Sequence, residues 1–202
     1  MNIVVIISII TIIASVMGFR QEGLFYKLQL NPFLIVHKKE YYRILTHSLL
    51  HADWAHLIIN MIVFFSFGDG LLQYFEIYFG ELASVIFLLL YVSAIIISSI
   101  YSIIKNKDNS NYNAIGASGA VSAILFANIF FAPWNKIYFY GVIGVPGILF
   151  GAIYLGYSYY MGKKGQDNIG HDAHFWGAVF GLIFPLLVQP SLIHHFINNL
   201  LG

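Results

Sequence analysis

An all-α, polytopic membrane fold is what this sequence predicts: one domain over residues 1–202, a bundle of six spanning helices with a large interfacial first loop. Three observations predict it. Hydrophobic residues make up 59% of the chain and charged residues only 9%, against about a quarter charged in soluble domains. The apolar residues fall into runs close to the ~20 needed to cross the hydrocarbon of a bilayer. Polar loops separate those runs, most of them short and one long.

The first span, residues 3–19, is an almost unbroken Ile/Val run. Such β-branching favours strand in water, but in lipid the backbone must satisfy its own hydrogen bonds, so a helix is expected. Only Met1 and Asn2 precede it, with no basic stretch and no small-residue cleavage site after it. It reads as a retained span rather than a removed leader. Residues 20–54 hold Arg20, Glu22, Lys27, Lys38, Lys39, Glu40 and Arg43 among Phe, Tyr and Leu, the mixture of a partly buried segment lying at the interface. A second span covers 55–75, ending at Gly68-Asp69-Gly70 or one turn later at Glu76. The third covers 81–104, and a polar, turn-rich segment follows from Lys105 to Asn113.

The fourth span starts at Ser118 and stops at Ala132-Pro133. The fifth covers 137–161, with Gly141, Gly144, Pro146, Gly147 and Gly151 in its first half. That density of Pro and Gly weakens a helix and marks this span as the one best able to move. The sixth runs over 171–190 and ends at Pro190, leaving an amphipathic tail, 191–202. The core is expected over 40–190.

Six spans put the first loop, the Lys105 loop and the Lys163 loop on one side, so Ser118 and His174 enter the membrane from the same face. Gly177-x-x-x-Gly181 strips one stripe of the sixth span of side-chain bulk, and Gly119 and Ala120 offer a matching small surface on the fourth. Close approach there would bring the His174 imidazole to the Ser118 hydroxyl.

Serine in a membrane helix most often hydrogen-bonds its own backbone or a neighbour. Gly-Ala-Ser-Gly-Ala also misses the G-x-S-x-G elbow of soluble hydrolases, since Ala120 stands at the second glycine. His174 alters the balance, because burying an ionisable ring in a membrane is costly and marks function. An imidazole that takes the serine proton and returns it to a leaving amine is the base a serine nucleophile needs; a packing histidine is the alternative. Asp172 is read as a helix-start residue, since two positions along a helix it points away from His174.

His47 and His51 are four apart, as are His56 and Asn60, so each pair can share a helix face. Hydrogen bonding within the first loop is the simplest role for His47 and His51, with His51 also a candidate to line a water path. His56 and Asn60 point down the second span, where donors beside Ser118 would stabilise an oxyanion. Metal binding is not expected, because no H-E-x-x-H and no carboxylate at ligand spacing occurs. The absence of cysteine excludes disulfides and thiolate metal sites. A net charge of +1 argues against nucleic acid as a partner.

Tyr42-Arg43, His47, His51, His56-x-x-x-Asn60, Gly116-Ala117-Ser118-Gly119 and Ala173-His174-x-x-Gly177-x-x-x-Gly181 together resemble the rhomboid intramembrane serine proteases, in order and in spacing. The similarity runs over residues 40–182, and Glu76-x-x-x-Gly80 and Leu90-Tyr91 extend it. The resemblance implies a Ser118–His174 dyad without an acid, and an oxyanion site made by His56, Asn60 and the backbone N–H groups around Ala117 and Ser118. Arg43, His51, Gly116, Gly119, Gly177 and Gly181 are implied as structural support. It further implies membrane-protein substrates entering from the bilayer beside the fifth span, and no cofactor.

Three departures stand out. Some members carry a tyrosine one turn after the serine, packed under the histidine, where this chain has Ser122. The aromatic–Arg pair is Tyr42-Arg43 rather than Trp-Arg. Between Asn60 and Glu76 the spacing is about a turn longer than in some relatives.

Two other classes compete with a protease. A catalytically silent relative would bind or escort membrane proteins, against which stand both Ser118 and His174. A haem carrier would use the eight histidines, but would want them facing in pairs across two helices. Topology is contested as well. Nine of the basic residues fall on the Ser118 side, with Lys136 alone opposite, which by the positive-inside rule makes that side cytoplasmic. The resemblance implies the reverse, a bacterial cell membrane with the termini inside and the site opening outward. That is the expectation adopted, because a folded first loop is not a simple connecting loop.

Overall fold

The computed structural model describes residues 2–139, 141–165 and 169–202. Helix α1 spans Ile3–Arg20, and three short helices follow: α2 (Glu22–Leu28), α3 (Pro32–Lys38) and α4 (Arg43–Thr46). The long helices α5 (Trp54–Phe79) and α6 (Ala83–Asn106) come next, then α7 (Ser118–Phe131). A hairpin of β1 (Lys136–Phe139) and β2 (Ile143–Pro146) leads into α8 (Gly147–Lys164), α9 (His171–Val188) and α10 (Leu192–Leu201).

Among the described residues, three stretches are long and apolar enough to cross a membrane: Ile3–Arg20, Trp54–Asn106, which holds both α5 and α6, and His171–Val188. Helix α7 is apolar but has only 14 residues. The 18-residue α8 carries Tyr154, Tyr157, Tyr159 and Tyr160 and falls outside that set. Ile13, Ile59, Ile62, Val85, Ile153 and Leu187 are all exposed on the outside of the bundle. Scattered singles would be ordinary, but so many large apolar groups together describe a surface solvated by lipid.

Helix α7 is the core. Every residue from Gly119 to Phe131 except Asn128 is buried, with α5, α6 and α9 packed around it. The closest approach is to α9, where a Cβ on Gly177 would fall on the Gly119 carbonyl and one on Gly181 on the Ala123 carbonyl. The expected partner surface was Gly119 with Ala120; the structure uses Gly119 with Ala123. Residues four apart share a helix face and neighbours do not, so Ala123 is the partner that a glycine four residues after Gly177 must meet. On another side, Ser98 of α6 fills the space that a Gly119 side chain would need.

Three other expectations are corrected. Helix α5 runs unbroken through Gly68-Asp69-Gly70 to Phe79, because these residues serve packing and bonding rather than termination. A Cβ on Gly68 would lie 3.2 Å from Val4 of α1, one on Gly70 would lie 3.1 Å from the Asn128 amide, and Asp69 accepts a 2.8 Å bond from the Asn2 side chain. Among the described residues the fold is helical except for the hairpin, which occupies the first part of the expected fifth span. There Gly141 takes φ 70° and Pro146 an extended backbone at ψ 135°, so the Gly/Pro density marks a turn and strands, not a soft helix. Residue 140 of that expected span lies outside the described residues. The sixth span, expected over 171–190, is α9, which closes at Val188, two residues before Pro190.

The tail forms α10, fastened to the bundle. His195 bonds the Tyr78 hydroxyl at 2.6 Å and, through its other nitrogen, the Phe131 carbonyl at 3.0 Å, while Trp134 donates to the Leu200 carbonyl at 3.1 Å.

Since the backbone of α7 cannot yield as a flexible side chain would, Gly181→Val is expected to destabilise the fold by on the order of 3 kcal/mol or more. The thermal unfolding midpoint in detergent should fall accordingly, whereas Gly156→Val, where nothing lies within 4 Å, should leave it nearly unchanged.

Candidate active site

Ser118 is the first residue of α7, and the chain reaches it through a glycine in a conformation that other residues rarely adopt. Gly116 has φ 118°, and its N–H donates to the His47 carbonyl at 3.0 Å. A Cβ there would meet the His56 ring at 2.9 Å; the same point lies 3.2 Å from His56 Nε2 and 3.8 Å from Ser118 Oγ. Glycine thus answers two demands, a positive φ and room for the imidazole, and His56 and Ser118 border one small space. The N–H groups of the first turn of α7 have no partner within the helix, so this end carries partial positive charge. Ser118 is half-buried, unlike the buried residues that follow it.

His174 stands in the first turn of α9, its N–H bonded to the Gly170 carbonyl at 3.0 Å. The Gly119–Gly177 contact and the approach of the Ala173 carbonyl, 3.3 Å from where a Gly119 Cβ would be, bring the backbone beside His174 against the residue after Ser118. The Tyr154 ring faces the imidazole at 6.3 Å and 26°. His171 meets it edge-on at 6.0 Å and 76°.

His56 enters α5 behind an N-cap, Asp53, whose carboxylate accepts the His56 N–H at 2.8 Å. The Ala52 N–H points to His56 Nδ1 at 3.4 Å. Nδ1 is then the acceptor, and the ring proton sits on Nε2, toward Gly116. Asn60 is buried one turn on and donates to the His56 carbonyl at 3.0 Å, which uses one of its two amide hydrogens.

The residues between α1 and α5 are held by specific polar bonds. Arg43 is 6% exposed, donating to Glu40 at 2.6 Å and to the Tyr26 and Gln29 carbonyls at 2.9 Å. Its guanidinium lies 5.5 Å from the Tyr42 ring centroid, and together with the Tyr42 hydroxyl it holds the Glu40 carboxyl below the usual range. Asn31 caps α3 at the Leu34 N–H and also bonds Asn113. Leu30 and Ala114 pair through their backbones. These bonds fix the segment that delivers Gly116.

His47 Nε2 lies 3.0 Å from Ser99 Oγ, whose own proton goes to the Ile95 carbonyl, so the imidazole is the donor. His51 Nδ1 reaches Ser15 of α1 at 3.0 Å, and Ser15 donates to the Leu49 carbonyl at 2.8 Å. His51 is 0% exposed, so it braces α1 against the loop and does not line an open water path. Its ring meets that of His56 edge-on at 4.9 Å. Asp172 pairs with Lys105 at 3.3 Å, tying the start of α9 to the end of α6.

The arrangement therefore gathers Ser118, His56 and Gly116 at one end of α7, with His174 on the helix that packs there most closely. The profile of the rhomboid domain matches residues 38–191 of the chain. The chain belongs to the rhomboid family. Rhomboids are integral membrane proteins, typically serine proteases, and the apolar helices here agree with that setting. The chain is 28% identical to the mitochondrial rhomboid-like protein 12 of Arabidopsis thaliana over 155 residues, covering 69% of this chain and 44% of that one. It is 33% identical to the rhomboid protease GluP of Bacillus subtilis over 146 residues, covering 72% of this chain and 26% of that one. The chain thus matches less than half the length of either relative.

Sequence reasoning missed Ser98, Ser99, Ser15 and Tyr154. Ser98, Ser99 and Ser102 on α6 carry a readable signal, since small polar residues at such spacing mark a close helix contact. Nothing in the spacing of Tyr154 distinguishes it from the other tyrosines of α8.

Burial lowers the pKa of both His47 and His51 to about 4, the neighbouring His56 adding to the effect at His51. Both are neutral in the folded chain and protonate near 6.5 when it unfolds. Their contribution is complete above pH 6.5 and disappears as pH falls toward 4, about 3 kcal/mol for each at the limit. Unfolding midpoints in detergent should decline steadily from pH 7 to 4, with a shallower decline in His47→Gln.

Proposed function

We propose that this rhomboid is an intramembrane serine endopeptidase that cleaves transmembrane or membrane-proximal segments of membrane proteins with a Ser118–His174 dyad. The reading is carried by the contact of Gly119 with Gly177, which sets the helix bearing an imidazole against the end of α7 that bears the serine. His174 takes the Ser118 proton as Oγ attacks the scissile carbonyl, and the tetrahedral oxyanion is held by His56 Nε2, Asn60 and the N–H groups at Ala117 and Ser118. His174 then passes the proton to the leaving amine. Water, deprotonated by the same imidazole, attacks the acyl-enzyme and releases the new carboxylate with Ser118 restored.

Six membrane crossings, with α7 and α8 as the fourth and fifth and residues 21–53 folded at the interface, complete this reading. The substrate segment must lose its own helical hydrogen bonds before a carbonyl reaches Ser118, so residues of low helix propensity near the cut are preferred. Three of the histidines that a haem protein would need, His47, His51 and His195, hold Ser99, Ser15 and Tyr78.

The test is hydrolysis of a transmembrane reporter in liposomes. Ser118→Ala and His174→Ala should abolish product, and His56→Ala should slow it by roughly 10²–10³-fold. Equal product from wild type, Ser118→Ala and His174→Ala would end the protease reading and leave membrane-protein binding or escort.

Orientation belongs to the same proposal: termini on the cytoplasmic side of a bacterial cell membrane, the Ser118 end facing out. Single cysteines at positions 107 and 165 should react with an impermeant reagent in intact cells; reaction only after permeabilisation would reverse the assignment.

A further inference from the structure

We propose that Tyr154 of α8 is the residue that positions the His174 imidazole, a role that on α7 falls to no aromatic ring. The inference rests on the dyad reading above. One turn after Ser118, α7 presents Ser122, which is 4% exposed and has no ring to set beside the imidazole. The space is filled from another helix. The Tyr154 ring lies nearly parallel to the imidazole at 26°, with centroids 6.3 Å apart, and its hydroxyl is 2.6 Å from Ser122 Oγ. Phe126 of α7 and Phe150 of α8 wall it in, each with its centroid 5.6 Å away. Gly151 lets α8 come close enough for this, since a Cβ there would already lie 3.3 Å from the Phe126 ring.

A flat ring beside one face of an imidazole limits its rotation about the Cβ–Cγ bond, which keeps a ring nitrogen aimed at the serine. Contacts with Phe126 and Phe150 hold that ring in place, and the hydroxyl bond to Ser122 adds to them. His171 also adjoins the imidazole, but at 76° it offers no parallel face. The arrangement also couples the base to α8. That helix buries only Gly147, Gly151 and Ser158, so an outward displacement of α8 would carry the ring away from His174.

The experiment compares wild type, Ser118→Ala, Tyr154→Phe and Tyr154→Leu on a transmembrane reporter in liposomes, with KM and kcat separated. Tyr154→Phe keeps the ring and should hold kcat within about threefold, while Tyr154→Leu should lower kcat about tenfold or more at unchanged KM. In the inactive Ser118→Ala background, the part of the ring-current displacement of the His174 imidazole proton signals that comes from residue 154 should persist with Phe and be lost with Leu. An active wild type with Tyr154→Leu equal to it, or Tyr154→Phe as slow as Tyr154→Leu, overturns the positioning role and leaves the protease reading intact. Wild type no better than Ser118→Ala fails that reading instead. If Tyr154→Leu does not fold, the imidazole signals decide: a displacement unchanged between wild type and Tyr154→Met overturns the proposal.

Discussion

The contact between α7 and α9, backbone against backbone at Gly119–Gly177 and Ala123–Gly181, is the constraint on which the rest of the molecule depends. Helices in lipid gain little from hiding apolar surface against one another, because lipid tails are as apolar as leucine. Association must come from close packing and from polar groups bonded between helices. Two glycines one turn apart provide the first. They remove side chains where α7 would otherwise be held away, and they set both the spacing and the register of the helix that carries His174 relative to the one that carries Ser118. The proposed dyad would be sensitive to displacement on the scale of an ångström, and a backbone contact is less able to drift than one between flexible side chains.

The second requirement is met by the residues between α1 and α5. Their backbone is irregular, and irregular backbone near a bilayer is tolerated only where its polar groups find partners within the protein. Arg43 satisfies the Tyr26 and Gln29 carbonyls, Thr46 the Leu28 carbonyl, and the His47 carbonyl accepts from Gly116. The last bond joins this segment directly to the turn before Ser118. The loop is therefore part of the site's framework: it holds Gly116 in its positive-φ conformation and keeps the adjacent space open for His56. His47 and His51 serve that framework from inside it, each bonded to a serine on a neighbouring helix.

Much of this was legible in the chain. Helices α1, α6, α7 and α9 lie within a few residues of the apolar runs that mark them in the chain, because in lipid an apolar run can satisfy its backbone only by coiling on itself. The Gly177–Gly181 stripe announced a close neighbour, since glycine pairs at helical spacing have few other uses in such a segment. Asp172 stands in the first turn of α9, as its place in the chain suggests, and pairs with Lys105. Local patterns went astray where one residue type has two uses. Gly68 and Gly70 look like a helix end but pack against Val4 and Asn128, and the Gly/Pro cluster before α8 looks like a soft helix but makes a hairpin.

What the sequence by itself determined was the class of molecule, the order of its apolar helices and the small set of polar residues worth placing in its site. Composition, period and spacing are properties of neighbours along the chain, and those features depend on nothing more. Only the tertiary structure decided which faces meet: that Ala123 rather than Ala120 receives Gly181, that His51 turns to Ser15, and that a tyrosine from α8 stands beside His174 where α7 offers only a serine. The rotation of one helix about its axis relative to another is fixed by packing across the bundle, between residues far apart in sequence, and no local pattern carries that angle.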